Sequence, residues 1–236
     1  MKKQSITAAD FQGFPKASLK FLKQLKANNN RDWFAEHKPR YESEVLTPAL
    51  AFIAAMEAPM KRLSDCFNVI PKRMGGSLMR VYKDTRFAED KTPFKTNIGI
   101  HFRHMAGKDV HAPGFYLNIA PEEIFVGIGV WHPDSRNCTA IRQHMDEHSE
   151  QWRKIWKRKA FREGFKLIGE SLKRPPRGFS ADHPLITDLK RKDFIVTRQL
   201  SAPQIHSPDF DCFVAKQFRD GFPLIEFLCS ALDLPC

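Results

Sequence analysis

The stretch from Arg80 to Lys95, RVYKDTRFAEDKTPFK, holds five cations: Arg80, Lys83, Arg86, Lys91 and Lys95. Asp84, Glu89 and Asp90 are threaded among them. An arginine fork meets two oxygens of a phosphate or carboxylate at once, and a lysine adds a point charge. Arg80, Arg86 and Lys91 are therefore candidates to hold an anion, with Lys95 beside them and Asp84 to orient them. The same residues permit a second outcome, in which Asp84 and Asp90 pair with those cations and pin the loop. Exposed pairs of that kind contribute about 0–1 kcal/mol each.

Such side chains need a rigid frame, and period-2 patterning supplies one. Leu78 to Tyr82, Asn97 to His104, Gly114 to Ala120, Glu123 to His132 and Phe194 to Leu200 are predicted strands. Pro121-Glu122 is a tight turn between two of them, which predicts an antiparallel hairpin. Alternation assigns faces. Ile98, Ile100 and Phe102 share one side with the Ile124, Val126, Ile128 and Val130 set, and this is the greasy face. Gly99, His101, Arg103, Phe125, Gly127, Gly129 and Trp131 make a mixed face. Strand glycines leave room for a ligand or for a close-packed helix. A depression floored by Gly99, Gly127 and Gly129 would be edged by His101, Arg103, Phe125 and Trp131. His101 is the candidate for acid–base chemistry there, and Arg103 adds a positive charge. If the Arg80, Tyr82, Asp84 side of its strand joins this face, Arg80 approaches His101.

Helical spacing dominates both ends. Pro15 to Ala27 is a predicted helix with Pro15 at its first position, and Asn30 is a predicted cap for the next. Thr47-Pro48 opens a third, which Pro59 should kink or end. Cys138 to Arg158 is a predicted helix, and Ser207-Pro208-Asp209 opens a last one that Gly221 and Pro223 should divide. The expectation is a single α+β domain over residues 1–236, with an antiparallel sheet flanked by N-terminal and C-terminal helices.

A net charge of +11 favours anionic partners: phosphorylated small molecules or nucleic acid. The second has its own candidate, the segment from Gln151 to Lys166, where Arg153, Lys154, Lys157, Arg158 and Lys159 alternate with Trp152, Trp156 and Phe161. Basic residues with aromatics suit backbone contacts and base stacking, and they equally suit a surface helix with its aromatics turned inward. His144 and His148 stand four apart without a nameable third ligand, so no metal site is assigned. Five cysteines with no C-x-x-C pair argue against a disulfide framework and for a reducing cytosol. The start, MKKQSITAADF, has no apolar core of a signal peptide, and no run approaches a membrane span. The residues name neither a reaction, a cofactor nor an oligomeric state.

Three stretches carry a resemblance. Asn29 to Phe34 (NNRDWF), the motif R-x-x-[RK]-D-x-R-F-x-x-D-K-x-P-[YF]-K at Arg80 to Lys95, and His183 to Ile186 (HPLI) resemble a bacterial family catalogued as domain of unknown function 2461. The resemblance covers nearly the whole chain. Lys83 stands where arginine is usual and Phe94 where tyrosine is usual. It implies a cytoplasmic bacterial protein of one domain and supplies no catalytic residue.

Overall fold

The change of hydrophobic period along the chain is matched by the computed structural model, which describes residues 6–86, 88–107 and 111–236. The N-terminal part is helical: α1 (Lys16–Ala27), α2 (Arg31–Glu36), α3 (Lys38–Tyr41), α4 (Thr47–Ala55) and α5 (Glu57–Leu63). Pro15 precedes α1 as its cap residue instead of opening it. Asn30 caps α2 as its sequence predicts, its side chain accepting from the Trp33 N–H at 2.9 Å. Thr47 does not cap α4. A π turn over Glu42–Leu46 carries the helix from α3 into α4, and Leu46 is itself helical. Pro48 has no N–H for the Glu44 carbonyl one turn back. The buried Ser18 hydroxyl donates to that carbonyl at 2.5 Å instead, so the chain need not break there. The break falls at Met56, ahead of Pro59.

The centre is a five-stranded antiparallel sheet in the order β1-β2-β3-β5-β4, made of β1 (Ile98–Arg103), β2 (Gly114–Ile119), β3 (Ile124–Val130), β4 (Lys166–Ile168) and β5 (Phe194–Leu200). Pro121-Glu122 closes the β2–β3 hairpin, with Ile119 opposite Ile124. Leu78 to Tyr82 is not a full strand. It contributes only the bridges Leu78–Ile100 and Tyr82–Phe94, because the chain turns from the sheet edge after Met79 to pair with Pro93 and Lys95 instead.

The C-terminal part adds α6 (Ser135–Glu147), α7 (Ser149–Lys157), α8 (Lys159–Glu163), α9 (Ile186–Leu189), α10 (Ala202–Ile205) and α11 (Phe210–Ala231). The helix predicted over 138–158 is thus two, broken at His148, where φ −115° and ψ 39° leave the helical region. In contrast α11 runs through Gly221 and Pro223 undivided. It lies on the greasy face of the sheet, where a Cβ at Gly221 would come 2.3 Å from Ile128 Cδ1. Phe218 packs on Phe102 and Phe115 at ring distances of 6.0 and 4.9 Å. Burial of this face stabilises the helix across the proline. The architecture is α+β, and among the described residues no helix is long and apolar enough to cross a membrane.

Candidate functional site

Register decides what the other face presents. One cross-strand row reads His101, Tyr116, Gly127, Thr197, Lys166, and the next reads Arg103, Gly114, Gly129, Ile195, Ile168. Glycines therefore fall side by side at the middle of the sheet, between larger neighbours. The result is a cavity of about 290 Å³, lined among others by Met79, His101, Tyr116, Trp131, Ile168 and Thr197. Phe125 and the three glycines Gly114, Gly127 and Gly129 complete its floor. A second hollow of about 460 Å³ shares Phe125, Ile168 and Thr197 with it and continues to Glu123, Glu163, Lys166 and Gln199. The open face thus carries one groove with an apolar end and a polar end.

The floor differs from the sequence expectation at one position. Gly99 lies under the Tyr116 hydroxyl and the Met79 sulfur, at 2.8 and 3.1 Å from a built Cβ, so it is covered, and Gly114 takes its place. At Gly127 a Cβ meets Ile195 and Tyr116 at an ordinary 3.5 Å, so its missing side chain is empty room. Gly129 is different. Its φ is +134° and a Cβ would sit 2.1 Å from the Phe194 carbonyl oxygen, so the backbone itself demands glycine.

His101 is in the wall, 9% exposed. Burial, helped by the Arg103 charge, pushes its pKa down to about 4, so it is a neutral imidazole at pH 7. Tyr116 lies edge-on to it at 6.2 Å, and burial raises the phenol pKa. Arg80 does not reach this face. The Leu78–Ile100 bridge sets Met79 beside Gly99, so Met79, not Arg80, lines the cavity next to His101.

The Arg80–Lys95 loop is largely engaged with itself. Arg86 is bidentate on Asp84, at 3.0 and 2.7 Å, which holds the Asp84 carboxyl down to about 2. Lys83 meets Asp90 at 2.7 Å, and Lys91 donates to the Thr85 carbonyl at 3.0 Å. Hydrogen bonds from Lys83 and Thr92 hold the Asp90 carboxyl far below its usual range. Arg80 adds its charge to the field at Asp84. Burial, then the Arg80 charge, lowers the Lys95 pKa. Phe87 of the motif lies outside the described residues.

Two of the three family-like stretches meet in space. The Asn29 amide donates to the Phe94 carbonyl at 2.9 Å and accepts the Phe94 N–H at 3.1 Å. Phe34 stacks on Phe94 at 4.1 Å. His183 bridges Asp146, at 2.9 Å, and the Leu185 N–H, at 3.1 Å. These residues fix loops. Phe94 is buried, where its ring packs without a hydroxyl.

The Gln151–Lys166 candidate separates into two faces. Trp152 is buried against Phe227 at 5.2 Å and donates its indole N–H to Asp188 at 2.8 Å. Trp156 and Phe161 pack on each other at 5.4 Å. Lys154, Lys157, Arg158 and Lys159 remain exposed, and Arg153 pairs with Glu150 at 3.1 Å. Trp152 and Phe161 are buried and Trp156 is half-buried, so the segment's aromatics are largely taken up in packing. The His144 and His148 rings lie 4.3 Å apart, and among the described residues no group of three His, Cys, Asp or Glu could hold a metal.

A pair that local spacing does not reveal stands just beyond Trp131, whose ring lies 4.5 Å from that of His132. Asp193 is fully buried and accepts the His132 N–H at 2.8 Å and the Glu170 N–H at 2.8 Å. His132 Nδ1 lies 3.0 Å from the same Asp193 carboxyl oxygen as its own N–H. The two residues are 61 positions apart, so only the β3–β5 pairing brings them together.

No curated protein and no solved structure matches the chain. The family model described as a conserved hypothetical protein (DUF2461) matches residues 17–227, and the chain belongs to that family.

Proposed function

We propose that the protein binds a small molecule with an aromatic or aliphatic body on the open face of its sheet. The observation that carries this is the cavity over Gly114, Gly127 and Gly129, about 290 Å³ in size and walled by Tyr116, Phe125, Trp131 and Ile195. Ligand sites are concave and mostly apolar, with few polar groups to fix orientation. Here the neutral His101 and Thr197 supply those groups. The shared wall with the second hollow favours a ligand that is apolar at one end and polar at the other.

A panel of aromatic acids and phenols, read by thermal shift, tests this. Binding to the folded state raises the melting temperature by mass action. Gly127→Leu keeps an allowed backbone and fills the hollow, so it should abolish the rise. Equal shifts in both proteins would overturn the reading.

A second reading places an anion at Arg80 and Lys95. It is supported by the half-burial of Lys95, which with the smaller effect of the nearby Arg80 charge lowers its pKa, a penalty a bound anion would relieve. Inorganic phosphate should then raise the melting temperature, and Lys95→Met should remove the rise. Arg86 and Lys91 contribute less to this reading, because Asp84 and the Thr85 carbonyl engage them.

A further inference from the structure

His101 is a polar side chain that the protein itself leaves unanswered. The residue lines the cavity and is 9% exposed. Its backbone N–H is taken by the Ser77 carbonyl at 2.8 Å. Its ring meets the Tyr116 ring edge-on at 6.2 Å, but among the described residues no group hydrogen-bonds either ring nitrogen. Nε2 stands over Gly114 of the cavity floor, where a Cβ would come 2.6 Å from it. Nearly buried polar groups are almost always paired, and one that is not calls for a partner from outside the chain.

The rest of the wall narrows what that partner is. Tyr116, Phe125, Trp131 and Ile195 offer rings and methyl groups, and Thr197 adds one hydroxyl. Among the described residues, no Asp, Glu, Lys or Arg lines the cavity. Burial, then the Arg103 charge, keeps the proton off His101 at pH 7. A neutral imidazole has one N–H donor and one acceptor nitrogen in either tautomer. A hydroxyl answers both kinds, since it donates and accepts. A carboxylate or an ammonium group would lose its water with no counter-charge in the wall, which disfavours it. Arg103 acts on His101 without lining the cavity itself. Space is sufficient: an apolar cavity of about 150 Å³ already takes up benzene, and this one has about 290 Å³.

We propose that the cavity selects uncharged ring compounds that carry a hydroxyl group, and that His101 reads the hydroxyl. The ring of the ligand lies over Gly127, where even a built Cβ keeps 3.5 Å from Ile195 and Tyr116. Its hydroxyl points along the floor to Gly114 and the His101 nitrogen above it. No bond is made or broken. This inference rests on the cavity reading above and names its ligand class.

Three probes of one shape test it: 4-nitrophenol, 4-nitrotoluene and 4-nitrobenzoate. At about pH 6 the phenol keeps its proton and the benzoate has lost its own. All three share the nitro group, so its contacts cancel. Calorimetry with the full chain should show 4-nitrophenol bound more than about threefold tighter than either of the others. In His101→Leu, 4-nitrotoluene should still bind, and the advantage of the phenol over it should fall below about threefold. His101→Phe, which keeps a ring without nitrogens, takes its place where His101→Leu does not fold. Gly127→Leu should bind none of the three. A smaller advantage in the native protein, or one that persists without the imidazole, overturns this inference and leaves the cavity reading standing. Absence of saturable binding of all three probes to the native protein overturns the cavity reading, and this inference with it.

Discussion

At His101, burial sets the protonation state and thereby a pH dependence. Its folded pKa is about 4, below the ordinary histidine value of 6.5. The unfolded chain binds a proton there below pH 6.5, and the folded chain does not until about pH 4. Stability from this residue is therefore complete above pH 6.5 and drains as the pH falls toward 4. Urea unfolding should show the native protein losing about 2 kcal/mol between pH 7 and pH 5 relative to His101→Gln. A parallel fall in both proteins would refute the assignment. Asn29 offers a second check. It makes two hydrogen bonds to the Phe94 backbone, so Asn29→Ala should cost about 1–3 kcal/mol and speed hydrogen exchange at the Phe94 amide. Phe94 exchange that stays slow would show that aromatic stacking alone holds the loop. Side-chain chemistry at these positions was only partly legible in the sequence. His101 could be placed on the mixed face by alternation. The His132–Asp193 pair could not, because its partners come from β3 and β5 ends far apart in the chain.

The strands were the most legible elements, since period-2 alternation and the Pro121-Glu122 turn are local signals. Phe194–Leu200 agrees with its expected bounds, and the antiparallel hairpin turns at Pro121-Glu122 as expected. Helix boundaries were less so, because tertiary contacts override local breakers. Ser18 satisfies the carbonyl that Pro48 leaves, and burial of Gly221 on Ile128 carries α11 past Pro223. The Lys166–Ile168 strand was not expected. Three residues are too few to show a period, and it exists by pairing with β5. Glycines in the sheet have separable roles, which a pair of substitutions resolves. Gly129→Ala forces a side chain into a left-handed strand position against the Phe194 carbonyl, and should destabilise by more than about 1 kcal/mol. Gly127→Ala meets only ordinary contacts and should change urea stability by well under that amount. Equal costs would mean that Gly127 also serves packing.

Across the molecule, helices cover one side of the sheet and the other side holds the groove. The basic surplus does not gather there. Its cations are spread over the surface, among them the lysines of α1, the cations of the Arg80–Lys95 loop, mostly paired within it, and those on the outer faces of α7 and α8. Net charge therefore said little about the site, while strand register said a good deal. The central claim is that the glycine-floored hollow is where a small molecule sits. Amide and indole shifts of the isotope-labelled full chain, followed through a 4-nitrophenol titration, address it directly. Saturable movement should centre on Gly114, Gly127, Gly129, Thr197 and the Trp131 indole. Movement confined to Thr85–Lys95 or to Gln151–Lys166, with those three glycines still, would contradict it.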